Sequence, residues 1–300
     1  MAAGRAALTT IRGILASAIA AAVDRVPALE PAFVRAGHAV QRNYPLASLY
    51  YHAHTNLSAR LRASGRRYRR LTINGLTAEL DITDHSARLL YFQSVPYEPE
   101  VTRHVIALGP GDVFIDVGAN AGFFAALAAV RVGTAGRIIA FEPHPVARAS
   151  MQALLSRNGV SDRVDVVGSA VGARVAPAVT LHLTGDSVLS TLVPAAAPLG
   201  ADYSFDHAID VPLTTIDAWL GDRPDLAPRI TAIKIDVEGA EGDVVAGMTS
   251  TMAAARRAIV LCETKPDSEA DHRLRAAGFS REMLEPSAGA VANYLYRRRS

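Results

Sequence analysis

Cysteine is nearly absent: Cys262 stands alone in 300 residues. That excludes intramolecular disulfides and zinc sites built on several cysteines. A lone thiol fits a reducing compartment, so the expected location is the cytoplasm. Lysine is almost as scarce, with only Lys234 and Lys265 against an arginine excess spread along the whole chain. The net charge is only +2, so no whole-molecule field favours nucleic acid, and none is expected as a partner. No apolar run reaches the length of a membrane span. The run Gly13–Val23, after Arg5 and Arg12, has the outline of a secretory signal, but its eleven residues are too few to cross a bilayer. Asp24–Arg25 and the amphipathic sequence beyond favour a packed or surface helix, with peripheral membrane contact as the alternative.

What is present is an ordinary globular composition, 50% hydrophobic and 20% charged. Its texture changes near residue 70. Residues 1–70 are alanine- and arginine-rich with helical periodicity, ending in the cluster Arg60, Arg62, Arg66, Arg67, Arg69 and Arg70. That cluster reads first as a solvated basic face, and otherwise as a contact for an anionic membrane or a carrier-linked substrate. From Leu71 to the end at residue 300, short β-branched runs alternate with helical segments, the pattern of βαβ units and a parallel sheet. Asn74–Gly75, between Leu71–Ile73 and Thr77–Asp81, predicts a hairpin. Strands are expected at Val113–Val117, Arg137–Phe141, Val164–Val171, Val179–Leu183, Val211–Thr215, Thr231–Val237, Ala258–Cys262 and Asn293–Arg297. Helices are expected over Gly122–Val132, Val146–Asn158, Ala240–Ala255 and Glu269–Ala277. The fold class is α/β: a doubly wound, mostly parallel, Rossmann-like sheet over 71–300 with a helical extension over 1–70.

In such sheets ligands bind beyond the carboxyl ends of the strands. The first buried strand ends in Asp116–Val117–Gly118–Ala119–Asn120–Ala121–Gly122, and the second in Glu142. Gly118 and Gly122 permit a tight turn, while a carboxylate at Glu142 can accept two ribose hydroxyl protons. A nicotinamide dinucleotide enzyme shares this layout, but Gly118 and Gly122 form GxxxG rather than the GxGxxG that admits a pyrophosphate. S-adenosylmethionine, which has a ribose and no phosphate, suits the looser turn. A non-catalytic nucleoside-binding protein is the other rival.

Asp236 closes the run Thr231–Val237, where a carboxylate can be a general base or a metal ligand. Glu238 and Glu241 can add to that chemistry, or cap the following helix. Glu263 closes the neighbouring strand, so Asp236 and Glu263 can share a proton or bind Mg²⁺, the metal being the less favoured reading. Lys234, in an apolar run, needs a carboxylate partner. His144 follows the second strand, and His182 and His207 lie in the polar insertion between the third and fourth strands, which also holds Gly185–Asp186–Ser187 and Ser190–Thr191–Leu192. Either insertion histidine can serve as a base, and the insertion itself can act as a lid.

The strings DVFIDVGANAGFF (Asp112–Phe124), IIAFEPHP (Ile138–Pro145) and TAIKIDVEGAE (Thr231–Glu241) resemble the FkbM-type S-adenosylmethionine-dependent methyltransferases. YEPEVTRHV (Tyr97–Val105), SAVG (Ser169–Gly172), PLTTIDAWL (Pro212–Leu220) and IVLCE (Ile259–Glu263) follow the same family's order. The resemblance covers Phe92 to Lys265 and leaves the chain before Leu71 unassigned. It implies a class I methyltransferase fold and O-methylation of a small, sugar, glycosylated or polyketide-type metabolite. It also implies that Asp116, Gly118, Asn120 and Gly122 line the methionine part of the cofactor. By the same resemblance Glu142 holds the ribose, Ser169 and Ala170 edge the adenine, and Asp236 sits beside the methyl group.

Overall fold

The computed structural model describes residues 2–40, 44–83, 85–94, 97–183, 190–192, 207–286 and 291–299. They fall into two units, Met1–Ile73 with Thr77–Tyr97, and Asn74–Leu76 with Glu98–Ser300.

The first unit holds α1 (Ala2–Arg25), α2 (Glu30–Val40), α3 (Tyr44–Ala63), most of the hairpin β1 (Tyr68–Ile73) and β2 (Leu76–Asp81), and α4 (His85–Gln93). The apolar run Gly13–Val23 lies inside α1 and buries Ala16, Ala20 and Val23, one face at helical spacing. Arg12 Nη1 donates to Ser48 Oγ at 3.2 Å and Asn56 Nδ2 to Ser17 Oγ at 3.1 Å, so α1 and α3 run side by side in the same direction. Tyr50, Leu57, Leu61 and Phe92 fill the core they share. The half-buried Arg69 of β1 grips Glu30 at the start of α2 through two bonds of 2.5 and 2.7 Å, and the Tyr91 hydroxyl of α4 donates to the same carboxylate at 2.9 Å. These bonds tie β1 and α4 to the helices. The helical unit therefore reaches Tyr97, whereas the sequence placed a boundary at Arg70.

The second unit contains α5 (Pro99–Ile106), β3 (Val113–Val117), α6 (Phe123–Val132), β4 (Arg137–Phe141), α7 (Pro145–Arg157), β5 (Val164–Val167), β6 (Ala170–Val171), β7 (Ala176–Leu183) and β8 (His207–Thr214). It continues with α8 (Ile216–Leu220), β9 (Ile230–Ile235), α9 (Glu241–Ala246), α10 (Thr249–Ala254), β10 (Ile259–Thr264), α11 (Glu269–Ala276), β11 (Phe279–Pro286) and β12 (Ala292–Arg298). Seven strands form the main sheet in the order β11-β12-β10-β9-β3-β4-β5. β5, β4, β3, β9 and β10 run parallel to one another, while β12 runs antiparallel to β10 and β11. The strand order reverses between β3 and β9, the switch point at which such sheets open a crevice. β3 is buried along its whole length, as a strand covered by helices on both faces must be.

Two expected elements come out differently, and one strand, β11, was not expected. Val164–Val171 is not one strand. β5 stops at Val167, and Ala170–Val171 pairs instead with Leu213–Thr214 of β8 in a separate three-stranded sheet, β6-β8-β7. Ala170, Leu181, Val211 and Leu213 give that small sheet an apolar cluster of its own. The helix expected over Ala240–Ala255 breaks at Gly247, where a Cβ would lie 2.1 Å from the Gly172 carbonyl oxygen. β11, an edge strand exposed over Ser280–Met283, lacks the alternation that announces a half-buried strand.

Candidate active site

Backbone hydrogen bonds bring the ends of β3, β4 and β9 together. The N–H groups of Gly118 and Ala119 both donate to the Phe141 carbonyl at 3.0 Å, and that of Asp236 donates to Val117 at 3.0 Å. Gly118 sits at φ +79, and a Cβ there would lie 1.8 Å from the Asp236 carbonyl oxygen. Gly122 sits at φ +84, and a Cβ would lie 2.4 Å from Met151 Cγ. Both glycines are thus demanded by conformation and packing, whatever they line. Asn120 is left-handed at φ +48, a conformation asparagine adopts more readily than most residues. Its N–H donates to Glu142 Oε2 at 2.7 Å.

Glu142 is held at its other oxygen by the His144 N–H at 2.7 Å. Burial pushes its carboxyl up to about 7, against the pull of those two N–H donors. Each oxygen keeps a lone pair for a further donor. Asp116 is more isolated. It is buried, both carboxylate oxygens lack a hydrogen-bond partner, and burial raises its pKa to about 6 despite the nearby Lys234 charge. The Ala125 N–H favours the anion but is too poorly placed to count as a bond. A buried acceptor without a donor is uncommon in native structures, and here it points to a donor brought by a ligand.

Asp236 follows β9 directly. Lys234 Nζ donates to its Oδ2 at 2.8 Å, and in register Lys234 stands opposite Asp116 on β3, with its ammonium 5.1 Å from the centre of the Phe124 ring. Burial would raise the Asp236 pKa, but Lys234 outweighs it and holds the carboxyl below its ordinary value. Glu263, at the end of the neighbouring β10, also acts to lower the Asp236 carboxyl. Glu238 is left-handed at φ +54, a strained conformation for a non-glycine residue. Burial, with Asp236 and Glu241 nearby, raises its carboxyl to about 7. Glu241 accepts from the Gly239 N–H at 2.8 Å, so it shapes the turn. Among the described residues no group of three or more His, Cys, Asp or Glu side chains is arranged to hold a metal ion.

Ser169 and Ala170 do not end the third strand. Ser169 lies in the connection after Val167, half-buried, and Ala170 opens β6. His144 caps α7, its Nδ1 accepting from the N–H groups of Val146 and Ala147 at 3.1 and 3.3 Å. His207 is exposed at the start of β8, and His182 pairs through its backbone with Thr191. Gly185–Asp186–Ser187 lie outside the described residues. Two contributors make contacts that no local pattern in the sequence assigns. Thr191 Oγ1 donates to the Glu238 carbonyl at 2.6 Å. Arg148 Nη1 donates to the carbonyls of Glu142 and Pro143, each at 3.0 Å.

The strand order and the acids at the strand ends are those of a nucleoside-cofactor crevice at the switch point of a Rossmann-like sheet. The model of the methyltransferase FkbM domain matches residues 116–297, more than half of the chain, which therefore belongs to the FkbM methyltransferase family. "Methyltransferase 1" of Beauveria bassiana is 30% identical over 196 residues, covering 60% of this chain and 78% of that protein. The AMB antimetabolite synthetase AmbE of Pseudomonas aeruginosa is 28% identical over 197 residues, covering 57% of this chain but spanning only 9% of that protein. A solved FkbM methyltransferase from Methylobacillus flagellatus matches 89% of this chain and 58% of its own, with 16% identity and a TM-score of 0.43. Membership implies S-adenosylmethionine as methyl donor. The unpartnered Asp116 oxygens and the free lone pairs of Glu142 fit a ligand with an ammonium group and ribose hydroxyls.

Proposed function

We propose that the protein is an O-methyltransferase for a hydroxyl of a sugar, glycosylated or polyketide-type metabolite, with the cofactor held at the ends of β3 and β4. The observation that carries this reading is the pair of acids just beyond β9. Asp236 stays ionised beside Lys234, while Glu238 has a pKa of about 7. The two suit different tasks. Asp236 accepts a hydrogen bond from the acceptor hydroxyl and orients it. Glu238, with a pKa near neutrality, takes the proton. Glu263, near Asp236, would help hold it in place.

S-adenosylmethionine, when bound, supplies a methyl group on a sulfonium that is already a good leaving group. The remaining work of the protein is alignment of the acceptor oxygen and removal of its proton. Asp116 would meet the ammonium side of the cofactor and Glu142 the ribose, with Gly118, Asn120 and Gly122 forming the turn between them. Ser169, after β5, would edge the adenine.

Glu142→Ala tests the cofactor assignment without an acceptor. Hydrogen bonds to a charged group contribute about 1.5–3 kcal/mol, so calorimetry should show S-adenosylmethionine affinity reduced about ten- to a hundredfold. Unchanged affinity would sink the assignment. Methyl-labelled cofactor offered with hydroxylated sugars and polyketides then tests the acceptor class, and label appearing only on nitrogen or carbon would overturn it. Stabilisation by nicotinamide dinucleotide, and not by S-adenosylmethionine, would favour the oxidoreductase instead.

A further inference from the structure

We infer that the solvent face of α1 is a membrane-surface contact that seats the helical unit on an anionic bilayer. This inference is independent of the methyl-transfer chemistry. α1 buries Ala16, Ala20 and Val23 on the side that packs beside α3. At 3.6 residues per turn, Ile11, Ile14, Leu15, Ala18 and Ala22 fall on the opposite side. There Ile11 is 63% exposed, Ile14 66% and Leu15 48%, and Ala18 and Ala22 are exposed as well. The only charge on that strip is Arg25, at the C-terminal turn, and the apolar surface continues past it through the exposed Val26 and Leu29. Scattered exposed apolar residues need no explanation, but a contiguous uncharged strip along a helix marks an interaction surface.

Charge identifies the occupant. Residues 1–97 carry twelve arginines, no lysine and five carboxylates, a net of +7, whereas the whole chain is only +2. The remaining residues are therefore net −5, and the positive charge is concentrated in the unit that bears the apolar strip. Asp24 at the end of α1 pairs with Arg66, which brings the arginines between α3 and β1 to that end of the strip. Arg25, Arg35, Arg60 and Arg62 are exposed, with no carboxylate in ion-pair range among the described residues. Two copies of so basic a unit repel one another at moderate salt, which disfavours a second copy as the cover. An anionic lipid surface satisfies both features, with the apolar strip entering the headgroup boundary and the arginines meeting the phosphates. No helix among the described residues is long and apolar enough to cross a membrane, so α1 lies along the surface.

Sedimentation of the full chain with vesicles tests this. The protein should pellet with phosphatidylcholine vesicles containing phosphatidylglycerol, stay in solution with phosphatidylcholine alone, and be released by added salt. Ile14→Glu with Leu15→Glu should weaken vesicle binding by about tenfold or more, leaving the melting-temperature shift caused by S-adenosylmethionine unchanged. If that pair of substitutions disturbs the helix by circular dichroism, Ile14→Ser with Leu15→Ser takes its place. Arg60→Glu with Arg62→Glu should weaken binding while leaving the apolar strip intact. Absence of vesicle binding, equal binding to both vesicle types, or full binding by the strip variants would overturn the proposal. So would a dimer in light scattering that the strip variants dissociate without any vesicle binding, because a second copy would then cover the face.

Discussion

Lys234 touches more of the chemistry than any other single residue. It neutralises Asp236 at 2.8 Å, stands opposite Asp116 and lies over Phe124. One buried cation thus serves two acids of different character. Asp236 is kept ionised, whereas Asp116 is too deeply desolvated for the same charge to hold it down. Asp236→Asn preserves the shape of the side chain and removes its charge. Cofactor affinity, which rests on β3 and β4, should be retained, while turnover with an identified acceptor should fall about 10²-fold or more, the scale of a misaligned acceptor oxygen. A purely structural Asp236 behaves differently: its asparagine variant melts earlier, yet its folded fraction turns over at the normal rate. Normal turnover in a stably folded variant would end the catalytic claim. A chelator should leave wild-type turnover intact, and its loss and restoration by Mg²⁺ would make Asp236 and Glu263 metal ligands.

Among the elements, the turn after β3 is the one whose geometry admits least change. Gly118 has a positive φ and the Asp236 carbonyl in the space a Cβ would fill, whereas Gly111, at φ +87, has nothing within 4 Å of that position. The two separate conformational strain from collision. Gly111→Ala should cost about 1–2 kcal/mol, the left-handed penalty alone. Gly118→Ala adds a backbone clash that only a shift between β3 and β9 relieves, so it should cost more than about 3 kcal/mol and abolish cofactor binding. Equal losses for the two variants in denaturant titrations would show that β9 yields easily at the site. The same turn explains how much the sequence disclosed. β3 and β4 were legible residue for residue, because short fully buried strands between glycine and proline punctuation carry their signal locally. The strand-end positions of Asp116, Gly118 and Glu142 came with them. β6 was hidden because Ala170–Val171 continues an apolar run, and only the partner β8 decides which sheet it joins. β11 was hidden because an exposed edge strand has no apolar face to display. Thr191 bonding the Glu238 carbonyl across 47 residues, and the left-handed turn at Glu238, are tertiary facts with no local pattern.

At the scale of the whole molecule, proton binding couples the site to stability. Asp116 and Glu142 have folded pKa values of about 6 and about 7, above the ordinary 3.8 and 4.5. A carboxyl whose folded pKa is raised contributes stability that is full below its unfolded value and is lost as pH rises through the folded one. These two groups, with Glu238 at about 7, should therefore weaken the ligand-free fold between about pH 4 and pH 7. Other groups act in the opposite sense. Asp236 and Glu30, held below their ordinary values by Lys234 and Arg69 against the cost of burial, lose their contribution as pH falls through the acid range. His104 and His144, lowered by burial and nearby arginines, lose theirs below the ordinary 6.5. The ligand-free melting temperature is thus a sum of opposed slopes, and the cofactor increment is the cleaner measurement. A cationic ammonium beside Asp116 and ribose hydroxyls on Glu142 both favour the ionised carboxyl. Binding must then release protons below neutrality. The rise in melting temperature given by saturating S-adenosylmethionine should grow from pH 5 to pH 8 and level off above. In Glu142→Gln, which cannot ionise, the increment should be smaller and its pH dependence shallower, retaining only the share that belongs to Asp116. An increment independent of pH in the wild type would mean that neither acid faces the cofactor, and the strand-end assignment would fall with it.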